Sequence, residues 1–223
     1  IPLRLVGSEM CIRDRYWVDI SILPLRDTEG KVTHFASIQR DITEYKKLEQ
    51  DLQILCRTDP LTTAANRRAF NEILSQEFSR FKRSQKEYAL IMIDLDHFKS
   101  INDQHGHSVG DQVLIEVTER CKDNIRVHDI LARLGGEEFC ILLPYTETKQ
   151  AQKVAERLRE KIEIKPIIVD GLRVKVTISV GISLVSTCDE DGHQAMERAD
   201  QKLFQAKELS LIHISEPTRR RGI

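Results

Sequence analysis

The chain has 223 residues, 31% charged and 40% apolar, a balance that excludes disorder, collagen-like repeats and a disulfide miniprotein. Its 34 basic and 35 acidic residues leave a net charge of −1. Because Arg4, Arg13, Arg15, Arg219, Arg220 and Arg221 sit at the two ends, the middle is more acidic still. The electrostatic drive for nucleic-acid binding is therefore missing, and no nucleic-acid partner is expected. The longest clean apolar runs, at 89–93 and 140–143, fall far short of the roughly 18 residues of a membrane span. Five cysteines, odd in number and without CxxC spacing, fit a reduced, cytoplasmic chain with no zinc site.

Both ends look foreign. The stretches VGSEMCIRDR (6–15) and LIHISEPTRRRGI (211–223) carry no sustained periodicity and resemble translated sequencing-adapter DNA. Residues 1–15 and 210–223 are accordingly expected to be a non-native leader and tail. Residues 16–42 read as strand, turn, strand: Val18, Ile20 and Ile22 alternate with Asp19 and Ser21, DTEG turns, and VTHFASIQRDI runs on. Two strands are marginal alone, so this is half a sheet. Ending in DITEYKKLEQ, it resembles the C-terminal part of a PAS sensor domain. Thr43 can cap a helix over 43–57, in which Tyr45, Leu48, Leu52 and Leu55 make a coiled-coil-like stripe. Such a stripe packs on its own domain as readily as it dimerises.

From 58 to 209 helices and strands alternate. Phe70, Ile73, Leu74, Phe78 and Phe81 share one helical face, residues 88–95 form an apolar strand, and Val113, Leu114, Val117 and Cys121 mark a second helix. A hairpin over 130–143 turns at Gly135-Gly136. A helix with Ala151, Val154, Ala155, Leu158 and Ile162 follows, then a strand over 174–183 and a helix over 195–207 with Ala199, Leu203 and Ala206 inward. The fold class is α/β, a sheet flanked by helices and containing at least one antiparallel hairpin.

Chemistry concentrates at two acidic turns. Asp94 and Asp96 end the apolar strand ALIMIDLD, where a carboxylate is costly unless it is paired or binds a cation. Glu137 and Glu138 follow the two glycines. By itself that is ordinary hairpin-turn chemistry, but if adjacent strands bring the two turns together, their oxygens form the hard ligand set of Mg²⁺ with phosphate.

The ordered blocks TDPLT with NRR, DLDHFKSIND with GHSVGD, GGEEF, and VTISVGIS with ADQKLFQAK resemble the GGDEF family of diguanylate cyclases in its GGEEF form. The resemblance spans about 59–207. It implies a palm-like, nucleotidyl cyclase-like sheet that condenses two GTP into cyclic di-GMP and two pyrophosphates across a homodimer, with Mg²⁺, or alternatively Mn²⁺, as cofactor. Asp94, the Leu95 carbonyl and Glu137 match the metal ligands, Glu137 the proton acceptor with Glu138 beside it, and Lys99 and Lys207 the phosphate-binding lysines. Asn102 and Asp111 match the guanine-reading pair, and His107 and Arg133 further substrate contacts. Arg126, Asp129 and Arg157 match the inhibitory site that binds the product.

Two departures bear on activity. Where the family has Gly-Leu after DPLT, this chain has Thr63 and Ala64, losing a φ-permissive position and apolar wall area. After Lys207 the family's glycine and arginine give way to LSLIHISEP. The leading expectation is a sensor-linked cyclase subject to product inhibition. The alternative is an impaired module that serves as a receptor for cyclic di-GMP or GTP.

Overall fold

The computed structural model describes residues 16–214. The expected leader and residues 215–223 of the expected tail lie outside the described residues. The chain divides into two compact units, one ending at Leu55 and one beginning at Cys56.

In the first unit, β1 (Val18–Arg26) and β2 (Val32–Asp41) pair antiparallel. Asp27 shapes their turn, its Oδ1 accepting from the amides of Glu29 and Lys31, both at 3.0 Å. Ile20, Ile22, Leu23, Leu25, Phe35 and Ile38 are all exposed, so both faces of this ribbon carry large apolar side chains. Helix α1 (Thr43–Arg57) follows. The Thr43 hydroxyl, expected to cap that helix, instead accepts from the Trp17 amide at 2.9 Å, while Asp41 Oδ1 accepts from the Thr43 amide. Cap and hairpin end are thus tied together.

The second unit is built on a five-stranded sheet in the order β3-β5-β6-β4-β9. These strands are β3 (Ala65–Asn66), β4 (Tyr88–Leu95), β5 (Ile130–Gly135), β6 (Glu138–Pro144) and β9 (Ile178–Leu184). All eight residues of β4 are buried, as a near-continuous apolar run between two neighbours requires. Alternation sorts its side chains into two cores. Ile91 and Ile93, with Phe139 and Ile141, pack against α3 (Phe98–His105), α4 (His107–Asp123) and α5 (Thr148–Ile164). Leu90 and Met92, with Cys140 and Leu142, pack against α2 (Arg67–Ser84) and α6 (Gly192–Ile214). Phe70, Leu74 and Leu158 are fully buried, each contributing about 1.5–3 kcal/mol.

Helix α6 lies close on β9: a Cβ at Gly181 would stand 2.1 Å from the Ala199 carbonyl, so only glycine fits there. The strand expected over 174–183 is divided, because β7 (Ile167–Val169) and β8 (Leu172–Val174) close a separate hairpin before β9 begins. The α6 backbone stays helical to Ile214, into the expected tail. Among the described residues no helix is long and apolar enough to cross a membrane.

Thr63 stands at φ 57, in the left-handed region that β-branched residues avoid. Its amide donates to the Asp59 carbonyl at 2.9 Å and its hydroxyl bonds the Lys122 ammonium at 2.8 Å. The position resembling the family's glycine is therefore one where glycine's freedom matters. Asn tolerates this conformation and keeps an oxygen for Lys122. Thr63→Asn is expected to stabilise the fold by about 1 kcal/mol in urea unfolding. An unchanged or lower midpoint would mean that the turn holds no strain.

Candidate active site

The C-terminal end of β4 and the β5–β6 turn meet at one rim of the sheet. The ladder sets Asp94 directly opposite Glu138 on one side and Ser179 on the other. Gly135 at φ 155 and Gly136 at φ 50 make the sharp turn that presents Glu137. A cavity of about 220 Å³ is lined by Asp94, Leu95, Asp96, His97, Phe98, Lys99, Glu137 and Lys207. Six of the residues singled out by sequence are thus gathered: Asp94, Leu95, Asp96, Lys99, Glu137 and Lys207.

Asp94 is 5% exposed and accepts from Lys207 Nζ at 2.8 Å. Burial pushes its carboxyl above the ordinary value; the Lys207 ammonium pulls it down, and the charges of Glu137 and Glu138 push it up again. Asp96 has a different task. Its two oxygens accept from Thr177 Oγ1 at 2.7 Å and Ser179 Oγ at 2.6 Å, fastening the end of β4 to the start of β9.

No group of three His, Cys, Asp or Glu side chains among the described residues is close enough to hold a metal ion. The donor set nevertheless fits Mg²⁺, which takes one or two carboxylates and completes its octahedron with water and phosphate. A buried carboxylate under the field of two others calls for a cation, and the Lys207 ammonium stands in that role. Asp94, the Leu95 carbonyl and Glu137 are the residues that would hold the ion.

Glu138 lies apart from Glu137. It lines a second cavity of about 290 Å³ with Arg67, Met92, Leu134, His193 and neighbours on α6. Asn102, His107 and Asp111 cluster at the α3–α4 junction and do not line the Asp94 cavity. Asn102 Oδ1 is buried without a hydrogen-bond partner, and a Cβ on Gly110 would come within 1.9 Å of it. An orphaned buried acceptor points to a donor that arrives with a ligand. Gly110→Ala is expected to displace Asn102 and destabilise the fold by about 1–3 kcal/mol, read by thermal unfolding.

Arg133, expected on substrate, is engaged within the protein: Nε donates to the Gly136 carbonyl at 2.9 Å and Nη1 to Asp59 Oδ1 at 3.0 Å. Burial pushes the Asp59 carboxyl up, but Thr62 and Arg133 outweigh it and hold it below the ordinary value. Sequence reasoning passed over Asp59, although its place in TDPLT was a signal.

Away from this rim, Arg126 and Arg157 line a cavity of about 420 Å³ with Asp123, Asn124 and Lys153. Asp129 is buried beside it; its Oδ2 accepts from the Arg126 amide at 2.8 Å, while Oδ1 has no partner. Arg157 Nη2 donates to the Asn124 carbonyl at 2.6 Å, and Arg126 is exposed.

A helix-flanked sheet whose central strand and neighbouring GGEEF turn bring carboxylates and lysines to one rim defines a nucleotidyl cyclase-like protein. The family model described as "Diguanylate cyclase, GGDEF domain" matches residues 56–210, and the chain belongs to that family. It is 39% identical over 171 residues to diguanylate cyclase DgcP of Pseudomonas aeruginosa, covering 77% of this chain and 25% of that protein. The chain thus spans about a quarter of the length of this curated relative. Among solved structures it resembles diguanylate cyclase SiaD of Pseudomonas aeruginosa in complex with its activator SiaC (36% identity, TM-score 0.66, 74% of this chain and 65% of that one). It also resembles the coiled coil and GGDEF domain of Caulobacter crescentus DgcB in complex with c-di-GMP (29% identity, TM-score 0.68, 74% and 89%).

Proposed function

We propose that this chain is a diguanylate cyclase: it condenses two GTP into cyclic di-GMP with release of two pyrophosphates. The single observation that carries the reading is the cavity in which Asp94, Glu137, Lys99 and Lys207 converge at the rim of the sheet. Bound there, Mg²⁺ would draw charge from the α-phosphate and acidify the attacking 3′-hydroxyl. Lys99 and Lys207 face the phosphates, where negative charge develops in phosphoryl transfer. Glu137 receives the hydroxyl proton. Asn102 Oδ1, buried and unpartnered, accepts from the guanine edge, and Asp111 accepts beside it. His107 at the start of α4 adds a further substrate contact. Each domain holds one GTP, so two copies facing each other complete the ring, and the sensor-like segment ahead of α1 sets how often they meet.

The test incubates the purified chain with GTP and Mg²⁺, follows products by chromatography, and uses Glu137→Ala as the control. Cyclic di-GMP from the parent alone supports the cyclase. No product, with retained binding of cyclic di-GMP, makes the chain a receptor instead.

The cavity of Arg126 and Arg157 supports a second role for the same chain, product inhibition. Exposed guanidinium forks beside Lys153 suit phosphodiester oxygens, which they grip bidentately. Arg126→Ala is expected to leave turnover at low product unchanged and to weaken inhibition by added cyclic di-GMP at least about tenfold. Unchanged inhibition would remove this site.

A further inference from the structure

Two arginines from separate sequence motifs hold the catalytic turn from opposite flanks. Arg133 on β5 donates to the Gly136 carbonyl at 2.9 Å. Arg67, the first residue of α2, donates from Nε to the Leu134 carbonyl at 2.8 Å, and its Nη2 stands 4.0 Å from Glu138 Oε2. The two carbonyls flank Gly135, where the β5–β6 register shifts. At that point the ladder is irregular, and guanidinium donors take over the fixing of the tip.

Behind the arginines lies one connected unit. Arg133 Nη1 reaches Asp59 Oδ1, which also accepts from the Thr62 amide at 2.9 Å and the Thr62 hydroxyl at 2.7 Å. Asn66 caps α2 by accepting from the Ala69 amide at 2.9 Å. Its own amide group donates to the carbonyls of Cys56 at 3.0 Å and Thr58 at 3.2 Å. Residues 56–59, where α1 ends, are thereby bonded to both arginine-bearing elements.

We infer that Arg67 and Arg133 are positioning residues: a clamp that fixes the GGEEF turn relative to Asp94 and transmits displacement of residues 56–59 to Glu137. The inference rests on the cyclase reading for its catalytic consequence, but not for the clamp itself. Only a planar fork holds a carboxylate and a carbonyl at once in fixed geometry; the point charge of lysine does not. The Arg133 and Asp59 side chains are 14% and 18% exposed, so their pair also supports the fold, whereas Arg67 at 60% acts through geometry.

The swap Asp59→Arg with Arg133→Asp separates the two roles. It restores opposite charges across the same gap but sets a carboxylate where the Gly136 carbonyl needs a donor. Thermal stability is expected to return only in part, because the swap also removes the acceptor of the Thr62 amide and hydroxyl, while kcat stays about tenfold down and KM for GTP moves by less than about twofold. Arg67→Gln is expected to lower kcat to a similar degree with an unchanged melting temperature. In both variants the amides of residues 135–138 should exchange with solvent several-fold faster. Recovery of kcat together with stability in the swap, or an unaltered kcat in Arg67→Gln, would overturn the clamp as a positioning device. Unaltered exchange of the turn would overturn it even in a chain that turns over no GTP, an outcome that would otherwise count only against the cyclase reading.

Discussion

Asp94→Asn is expected to raise the stability of the metal-free chain and to end formation of cyclic di-GMP. Asp94 is 5% exposed, and burial drives its carboxyl above the ordinary value of 3.8 despite the Lys207 ammonium. A carboxyl whose folded pKa lies above its unfolded one binds its proton more tightly in the native state. Its favourable contribution is fully present below the unfolded pKa and is lost as pH rises through the folded pKa. At neutral pH the ionised Asp94 therefore opposes folding, and Asn, neutral and of the same shape, removes that opposition. The gain should be about 1 kcal/mol at pH 7 and should close as the pH falls toward 4, where the parent carboxyl regains its proton. Mg²⁺ should raise the melting temperature of the parent and leave the variant unmoved, because the variant lacks the anionic ligand. A variant that melts lower than the parent at neutral pH would show that the Lys207 pair outweighs desolvation. Such a site, held at a cost to the fold, is what a reaction centre that needs a buried charge looks like.

Most of the scaffold was legible because burial writes itself into periodicity. The apolar run of β4 and the helical faces at Phe70, Leu74, Phe78 and Phe81 and at Val113, Val117 and Cys121 lie in the core as their spacing required. Elements governed by few residues were not legible. Strand β3 has two residues, paired parallel to Ala132 and Arg133, too few for any pattern to register. Strands β7 and β8 are three residues each, and the Asp170-Gly171 turn between them is a hairpin signal that the expected single strand over 174–183 left out. At the site, spacing and resemblance identified Asp94, Lys99, Glu137 and Lys207, which share one cavity. For Arg133 the resemblance implied a substrate contact; the structure adds two partners within the protein, Asp59 and the Gly136 carbonyl, which no local spacing announces. Thr63 shows the reverse case, a departure noted on sequence alone whose backbone angle carries the strain that the missing glycine implies.

The two glutamates of the turn should separate sharply when each is made neutral without change of size. Glu137 lines the cavity with Asp94 and both lysines, whereas Glu138 lines the cavity on the α2 and α6 face and neighbours Arg67. In the proposed mechanism Glu137, which lines the cavity with Asp94, both holds the ion and receives the 3′-hydroxyl proton. Glu137→Gln therefore removes a metal ligand and the proton acceptor together, and its turnover should fall by roughly a thousandfold or more, with product at the limit of detection. Glu138→Gln leaves both functions in place. It weakens the field that pushes Asp94 up and the contact with Arg67, so a loss of about tenfold is expected, with GTP binding little changed. The measurement is single-turnover formation of the linear intermediate and of cyclic di-GMP at saturating GTP and Mg²⁺. Equal losses in the two variants would mean that Glu138 swings across the rim to share the ion, and the division of roles drawn from the two cavities would then be wrong.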